Sequence, residues 1–302
     1  MPKGLVIASH GNRIMIEDSD HRHWQCHTHR SQGRIVCGDR VNWELRDEGN
    51  AVVTELLPRS TELARAAENG KSQLLCANID QIVIVNDGGR RDGGLHLPLI
   101  DHHLVGAELI GIQAAIVVNK LDLVDEHALS VIDAQLDAYR RIGYPCLLVS
   151  AYEKRNMDAL KDILAGRNSI LVGESGVGKS SLINRLVPDQ EARVGALTSD
   201  ERHGRHTTTT THLYRLESGG CLIDSPGVRA FTPYLADYEQ IASGFREFAP
   251  FLDQCRFRNC RHSGDAGCAL DQAIVDGHID AHRLERYRAL CQAIDNKGKS
   301  PR

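Results

Sequence analysis

The sequence predicts a multidomain fold: an N-terminal β-barrel of OB type, a central α/β domain, and a mostly α C-terminal domain built around cysteines. Three observations predict it. Residues 4–57 carry short strand-like runs broken by turn signals, residues 74–236 alternate apolar runs with helical spacing, and Cys and His residues crowd into positions 255–268. The expected boundaries are 1–60, 61–235 and 236–302.

The first strand-like runs are Gly4–Ala8, Arg13–Ile16, Arg34–Val36, Asp39–Trp43 and Ala51–Leu57, with turns marked by Gly11-Asn12, Gly38-Asp39 and Gly49-Asn50. So many short strands in so few residues suit a small closed barrel. SH3-like barrels read much the same, and the OB type is the expectation. Pro58-Arg59-Ser60 ends this part, and the polar stretch to about Ser72 reads as a linker.

Beyond it, fully apolar runs occur at Ile82–Val85, Ala114–Val118, Leu147–Val149, Ile170–Val172 and Leu222–Ile223. Strands buried on both faces of a parallel sheet have this composition. Helical spacing appears at Leu129–Tyr139 and Met157–Leu164, giving an α/β sheet with its ligand at the strand C-termini. After Pro233 the chain turns helical, then short and cysteine-rich, then helical again over Ala269–Ile294, ending in a polar tail from Asn296.

Bulk properties narrow the class. With 41% apolar and 25% charged residues the chain reads as soluble and globular, and a formal charge of −4 excludes a protein coated in basic surface. Nucleic acid, if bound, must meet local patches, to which fifteen His residues add charge at mildly acid pH. The N-terminal apolar run is too short for a signal peptide, and Leu104–Val118 is interrupted by Glu108 and Gln113 and falls short of a membrane span. The expected location is the cytoplasm. There, nine Cys, an odd number, point to free thiols and a metal site rather than a disulfide framework.

Gly173-Glu174-Ser175-Gly176-Val177-Gly178-Lys179-Ser180 stands between the apolar Ile170–Val172 and the helical Ser181–Leu186. This is the strand–loop–helix context of a P-loop. Glycines let backbone N–H groups converge on a β-phosphate at the helix N-terminus, Lys179 adds a point charge, and the Ser180 hydroxyl is a magnesium ligand. Such a loop does not by itself choose between ATP and GTP. Asn119-Lys120-Leu121-Asp122, directly after an apolar strand, does. A carboxylate at Asp122 accepts from guanine N1–H and N2–H₂, whereas adenine would leave it unpaired. Ser150-Ala151, after another strand, is expected to offer a backbone N–H to guanine O6.

Asp224-Ser225-Pro226-Gly227 again sits at a strand end, with Asp224 placed to hold magnesium through water and the Gly227 N–H to sense a γ-phosphate. In the run Thr207–Thr211 one Thr is expected to close over magnesium, while the later ones read as strand. The motifs are rotated: the base-reading pair precedes the phosphate loop, and the Asp-Ser-Pro-Gly turn comes last, directly before the C-terminal part. Val228 occupies the place where many GTPases carry a water-orienting Gln, so hydrolysis needs another donor. His206 is the candidate, with a solvent-exposed loop histidine as the bland alternative.

Cys255, Cys260, His262 and Cys268 form a standard closed zinc set that would hold a core-poor segment together. Buried free thiols or a redox pair are the alternatives. Arg256, Arg258 and Arg261 decorate it, readable equally as solvated surface or as phosphate contacts.

Taken together, the permuted order, GESGVGKSSLIN, GRHTTT at 204–209, DSPGVR at 224–229 and CRFRNCRH…GC at 255–268 resemble the ribosome small-subunit-dependent GTPase family RsgA, also called YjeQ or YloQ. The resemblance covers nearly the whole chain. It implies an OB barrel, a circularly permuted G domain and a zinc domain. It also implies a GTPase, cycling between GTP and GDP, that acts late in 30S subunit maturation through 16S rRNA and is stimulated by that subunit. On the same grounds His206 takes the role of the missing Gln, Thr208 becomes the magnesium-contacting Thr, one structural zinc is held per chain, and the protein is a monomer. His102-His103 stand where the family often shows Arg-Tyr, and the barrel, with His21, His23, His27 and His29, is less basic than usual. Val228 leaves room for a rival reading, a GTP-regulated RNA-binding module that scarcely hydrolyses. A P-loop ATPase or kinase with an accidental Asn-Lys-Leu-Asp is a second rival.

Overall fold

The computed structural model describes residues 1–10, 13–28, 32–46, 51–66, 72–90, 94–187, 211–225 and 237–298. The first strands, β1 (Lys3–His10), β2 (Arg13–Glu17), β3 (His23–His27), β4 (Arg40–Leu45) and β5 (Ala51–Leu56), pair in the order β1-β2-β3-β5-β4. β4 returns to β1, which closes the barrel. Inward-facing Val6, Ile14, Ile16, Val41, Trp43 and Val53 fill it.

Two expectations about this region are corrected. The third strand is His23–His27, not residues 34–36. In β3 only Cys26 is fully buried, so the strand reads as polar. Ile35 and Val36 are apolar because they pack inward at 4% and 3% exposure, and the Val36 N–H goes to Asp39 Oδ2 at 2.8 Å rather than to a ladder. The stretch after Pro58 is also no linker: β6 (Glu62–Ala66) and β7 (Ser72–Ala77) form a two-stranded hairpin. Arg59 secures its base, with Nε and Nη2 donating to the two oxygens of buried Asp39 at 2.7 and 2.9 Å. That bidentate geometry suits a carboxylate removed from water.

The central sheet runs β10 (Cys146–Leu148), β9 (Gln113–Asn119), β8 (Gln81–Asp87), β11 (Arg167–Val172), β13 (Gly220–Asp224), β12 (Thr211–Arg215). All neighbours are parallel except β12 and β13. Apolar residues of α1 (Leu97–Leu109) and α2 (Glu126–Ile142) cover one face, and those of α3 (Met157–Leu164) and α4 (Lys179–Leu186) the other. Asp125 caps α2 by accepting from the Ala128 N–H at 2.8 Å, and Gly143 ends it in the left-handed region. β12 also pairs with β1 of the barrel, in the register Ala8–His212 and Ser9–Thr211, so barrel and central sheet are joined by main-chain hydrogen bonds. An Arg215–Glu17 ion pair reinforces the seam.

The C-terminal part holds α5 (Tyr238–Ser243), α6 (Ala269–Val275) and α7 (Ala281–Gly298). The helical stretch expected over 269–294 is two helices, separated where Gly277 takes φ +74°. Phe245, Phe248 and Tyr287 form its core, which Val105 of α1 joins. Beside that contact lies an ionic cluster: Asp101 of α1 accepts from Arg283, Arg286 and the Tyr139 hydroxyl, while Arg283 Nε also donates to Glu247 at 2.6 Å. Asp101 and Arg283 are 0% and 1% exposed, and full pairing is what makes their burial tolerable. Among the described residues no helix is long and apolar enough to cross a membrane.

Candidate nucleotide site and metal centre

β11 delivers the chain into the loop Gly173–Gly178, and α4 starts at Lys179. Gly178 has φ +94°, and a Cβ there would lie 2.2 Å from Asn119 Nδ2, so both conformation and close approach demand glycine. Lys179 Nζ lies over the loop, donating to the carbonyls of Gly173 and Glu174 at 2.6 Å each. Ser175, Gly176, Ser180 and Ser181 are exposed at the loop mouth. Sequence reasoning missed the partners of Glu174. Arg90 Nη1 donates to its carboxylate at 3.0 Å, and His96 Nδ1 makes an unaligned electrostatic contact at 3.1 Å. Both follow β8 in the chain, and nothing in the local motif points to them.

Against the loop, Asn119 ends β9 and Lys120 takes a left-handed conformation with φ +64°. The Asn119 side chain is a bridge: its amide donates to Val177 O at 3.0 Å, and its oxygen accepts the Ala151 N–H at 3.1 Å. The N–H expected to face guanine O6 is therefore engaged with Asn119, and a base oxygen would have to share or displace that bond. Ser150 Oγ donates to Asp122 and accepts from the Glu153 N–H at 3.0 Å, fixing the carboxylate's direction. Lys120 Nζ pairs with Asp87 Oδ2 at 2.6 Å. Asn119, Lys120, Asp122, Ala151, Tyr152 and Ser181 line a cavity of about 490 Å³. Its lining carries the Asp122 carboxylate and reaches Gly178 and Ser181 at the start of α4, beside which Lys179 Nζ lies on the loop carbonyls. That charge distribution suits a base with N–H donors joined to an anionic tail.

Asp224 closes β13, in register with His212 of β12. The adjoining Ser225 is buried and its hydroxyl lies 2.8 Å from that of Thr211. Thr208, His206 and Gly227, to which switch and catalytic roles were assigned, lie outside the described residues.

In the C-terminal part, one ligand atom each from Cys255, Cys260, His262 and Cys268 lies within 4.8 Å of every other. His262 Nδ1 stands 3.6, 3.5 and 3.4 Å from the sulfurs of Cys255, Cys260 and Cys268. Tetrahedral zinc with ordinary Zn–N and Zn–S bonds separates those atoms by about 3.5 Å. The donor set and its spacing therefore fit such an ion. The Ala269 N–H donates to Cys255 Sγ at 3.3 Å, a contact that steadies a thiolate. Burial pushes the Cys260 thiol up to about 12 and holds His262 below its ordinary value. A bound cation displaces the protons of the thiols that ligate it.

A mostly parallel sheet with a P-loop and a base-reading loop that precedes it in the chain defines a circularly permuted P-loop GTPase. The chain belongs to the RsgA GTPase family, whose profile matches residues 56–233. It is 42% identical over 295 residues to the small ribosomal subunit biogenesis GTPase RsgA of Ectopseudomonas mendocina, covering 96% of this chain and 85% of that one. It is 43% identical over 291 residues to the protein of the same description from Pseudomonas aeruginosa, again covering 96% and 85%. Among solved structures it superposes on YjeQ from Thermotoga maritima with TM-score 0.79 at 29% identity, covering 97% of this chain and 98% of that one. YloQ, described as a circularly permuted GTPase, gives 0.77 at 25% identity, with 100% and 97% covered.

Proposed function

We propose that this protein hydrolyses GTP under stimulation by the small ribosomal subunit and acts late in maturation of that subunit, its release controlled by nucleotide state. The observation that carries the reading is the paired site: Asp122, aimed by Ser150, sits across one cavity from the Lys179 phosphate loop. Asp122 selects guanine, Lys179 and the loop N–H groups hold the phosphates, and Ser180, Thr208 and Asp224 hold Mg²⁺, which neutralises charge on the β- and γ-phosphates. Gly227 reports the γ-phosphate to the segment leading into the C-terminal domain, and His206 positions the attacking water in place of a Gln.

The Cys255–Cys260–His262–Cys268 set holds one structural zinc. The barrel of residues 1–60 and the zinc domain of 236–302 flank the GTPase core of 61–235 and touch 16S rRNA. The protein works in the cytoplasm as a monomer. The test is phosphate release measured alone, with 30S subunits and with 50S subunits. Acceleration by 30S alone is expected; equal rates in all three would refute the reading.

A further inference from the structure

We infer that Arg185 is a positioning residue for base selection, locking the base-reading loop to the phosphate-binding helix. Arg185 lies on α4, on the helix that Lys179 opens. Its Nε donates to Ala151 O at 2.8 Å, and Nη2 reaches Tyr152 O at 3.4 Å. The N–H of the same Ala151 is held at 3.1 Å by Asn119 Oδ1. Both peptide groups flanking one residue of the loop are thus gripped, one by a charged donor and one by an amide.

The grip closes a ring. Val177 O accepts from Asn119 Nδ2 at 3.0 Å, Asn119 Oδ1 accepts from Ala151, Ala151 O accepts from Arg185, and Arg185 returns through α4 to Val177. Every link but the one from Ala151 to the Arg185 side chain is main chain or Asn119. The ring spans the cavity that Arg185 itself lines together with Asp122 and Tyr152. Its span is what sets the distance between base readers and phosphate loop. A hydrogen bond from a charged donor to a part-buried carbonyl is among the stronger ones. Losing it frees Ala151 to turn, and the loop then no longer tells an oxygen acceptor on a purine from an amino donor at the same position.

This inference rests on the reading of the cavity as a guanine site. The experiment is equilibrium competition of GDP and ADP against a fluorescent GDP analogue, on the full chain, in wild type, R185M, R185K and D122N. Wild type must prefer GDP and D122N must lose that preference; if either fails, the guanine reading itself falls, independently of Arg185. Given both, R185M is expected to reduce the GDP-to-ADP preference on the order of tenfold, and R185K, which keeps a donor on a flexible stem, to restore part of it. A preference unchanged in R185M, or GDP and ADP weakened by the same factor, overturns the inference and leaves Arg185 a packing residue. If R185M does not fold, R185Q is read by the same criterion.

Discussion

The hydroxyls of Thr211 and Ser225 lie 2.8 Å apart, joining the first residue of β12 to the residue after Asp224. Thr211 is also the register partner of Ser9 in the barrel, whose hydroxyl donates to Ile35 O at 3.0 Å. The end of the Thr run, the start of the Asp-Ser-Pro-Gly turn and the barrel therefore meet at one point. Thr211→Val and Ser225→Ala are each expected to cost about 1 kcal/mol, and the double variant hardly more than either. Urea unfolding of the four proteins checks this. Strictly additive losses would mean that the two hydroxyls do not act on each other.

The cysteine cluster makes a prediction of its own. One zinc per chain is expected by elemental analysis, and Cys260→Ala should lose it. Because the segment 255–267 places none of its side chains among the fully buried apolar core around Phe245, Phe248 and Tyr287, the C-terminal part should then melt separately and earlier. Calorimetry with and without chelator reads this directly, and a single unshifted transition would contradict it.

Much of this architecture was legible from residue pattern because it is local. The phosphate loop needs a strand, glycines and a helix in immediate succession, and β11, Gly173–Gly178 and α4 supply them in that order. The metal set is equally local, confined to positions 255–268. What escaped was set by distant partners. β3 reads as polar because its pairing with β2 and β5, rather than its side chains, defines it. The hairpin of β6 and β7 rests on Arg59 reaching Asp39, twenty positions away in the chain. Asp101, an ordinary acidic residue in an apolar helix, gains its meaning only when Arg283 and Arg286 arrive from the far end of the sequence.

A pH dependence follows from His103 on α1. Burial, with the nearby His102, Lys179 and His96, lowers it from 6.5 to about 3. The unfolded chain takes up a proton at this residue below about pH 6.5, while the folded chain does so only near the lower value. The unfolded state thus binds more protons between the two, and stability falls as pH drops through that window. The slope from this group alone reaches on the order of 1 kcal/mol per pH unit. His103→Phe should flatten it. Denaturant midpoints at pH 7.5 and pH 5 in both proteins test the assignment, and an identical pH slope in the variant would refute it.

The catalytic assignment can be separated from binding by His206→Ala. A side chain that orients or deprotonates water acts on the transition state and contributes roughly 10²–10⁴-fold, while leaving the ground-state complex alone. With saturating 30S subunits the variant should lose turnover by about that factor and keep GTP affinity within about twofold. The distinction matters because Val228, an apolar side chain where many GTPases carry a Gln, cannot orient water itself. If GTP affinity collapses together with the rate, His206 holds the nucleotide and another group orients the water. If both persist, hydrolysis draws its donor from the ribosomal subunit itself, and stimulation by that subunit would then be chemical rather than conformational.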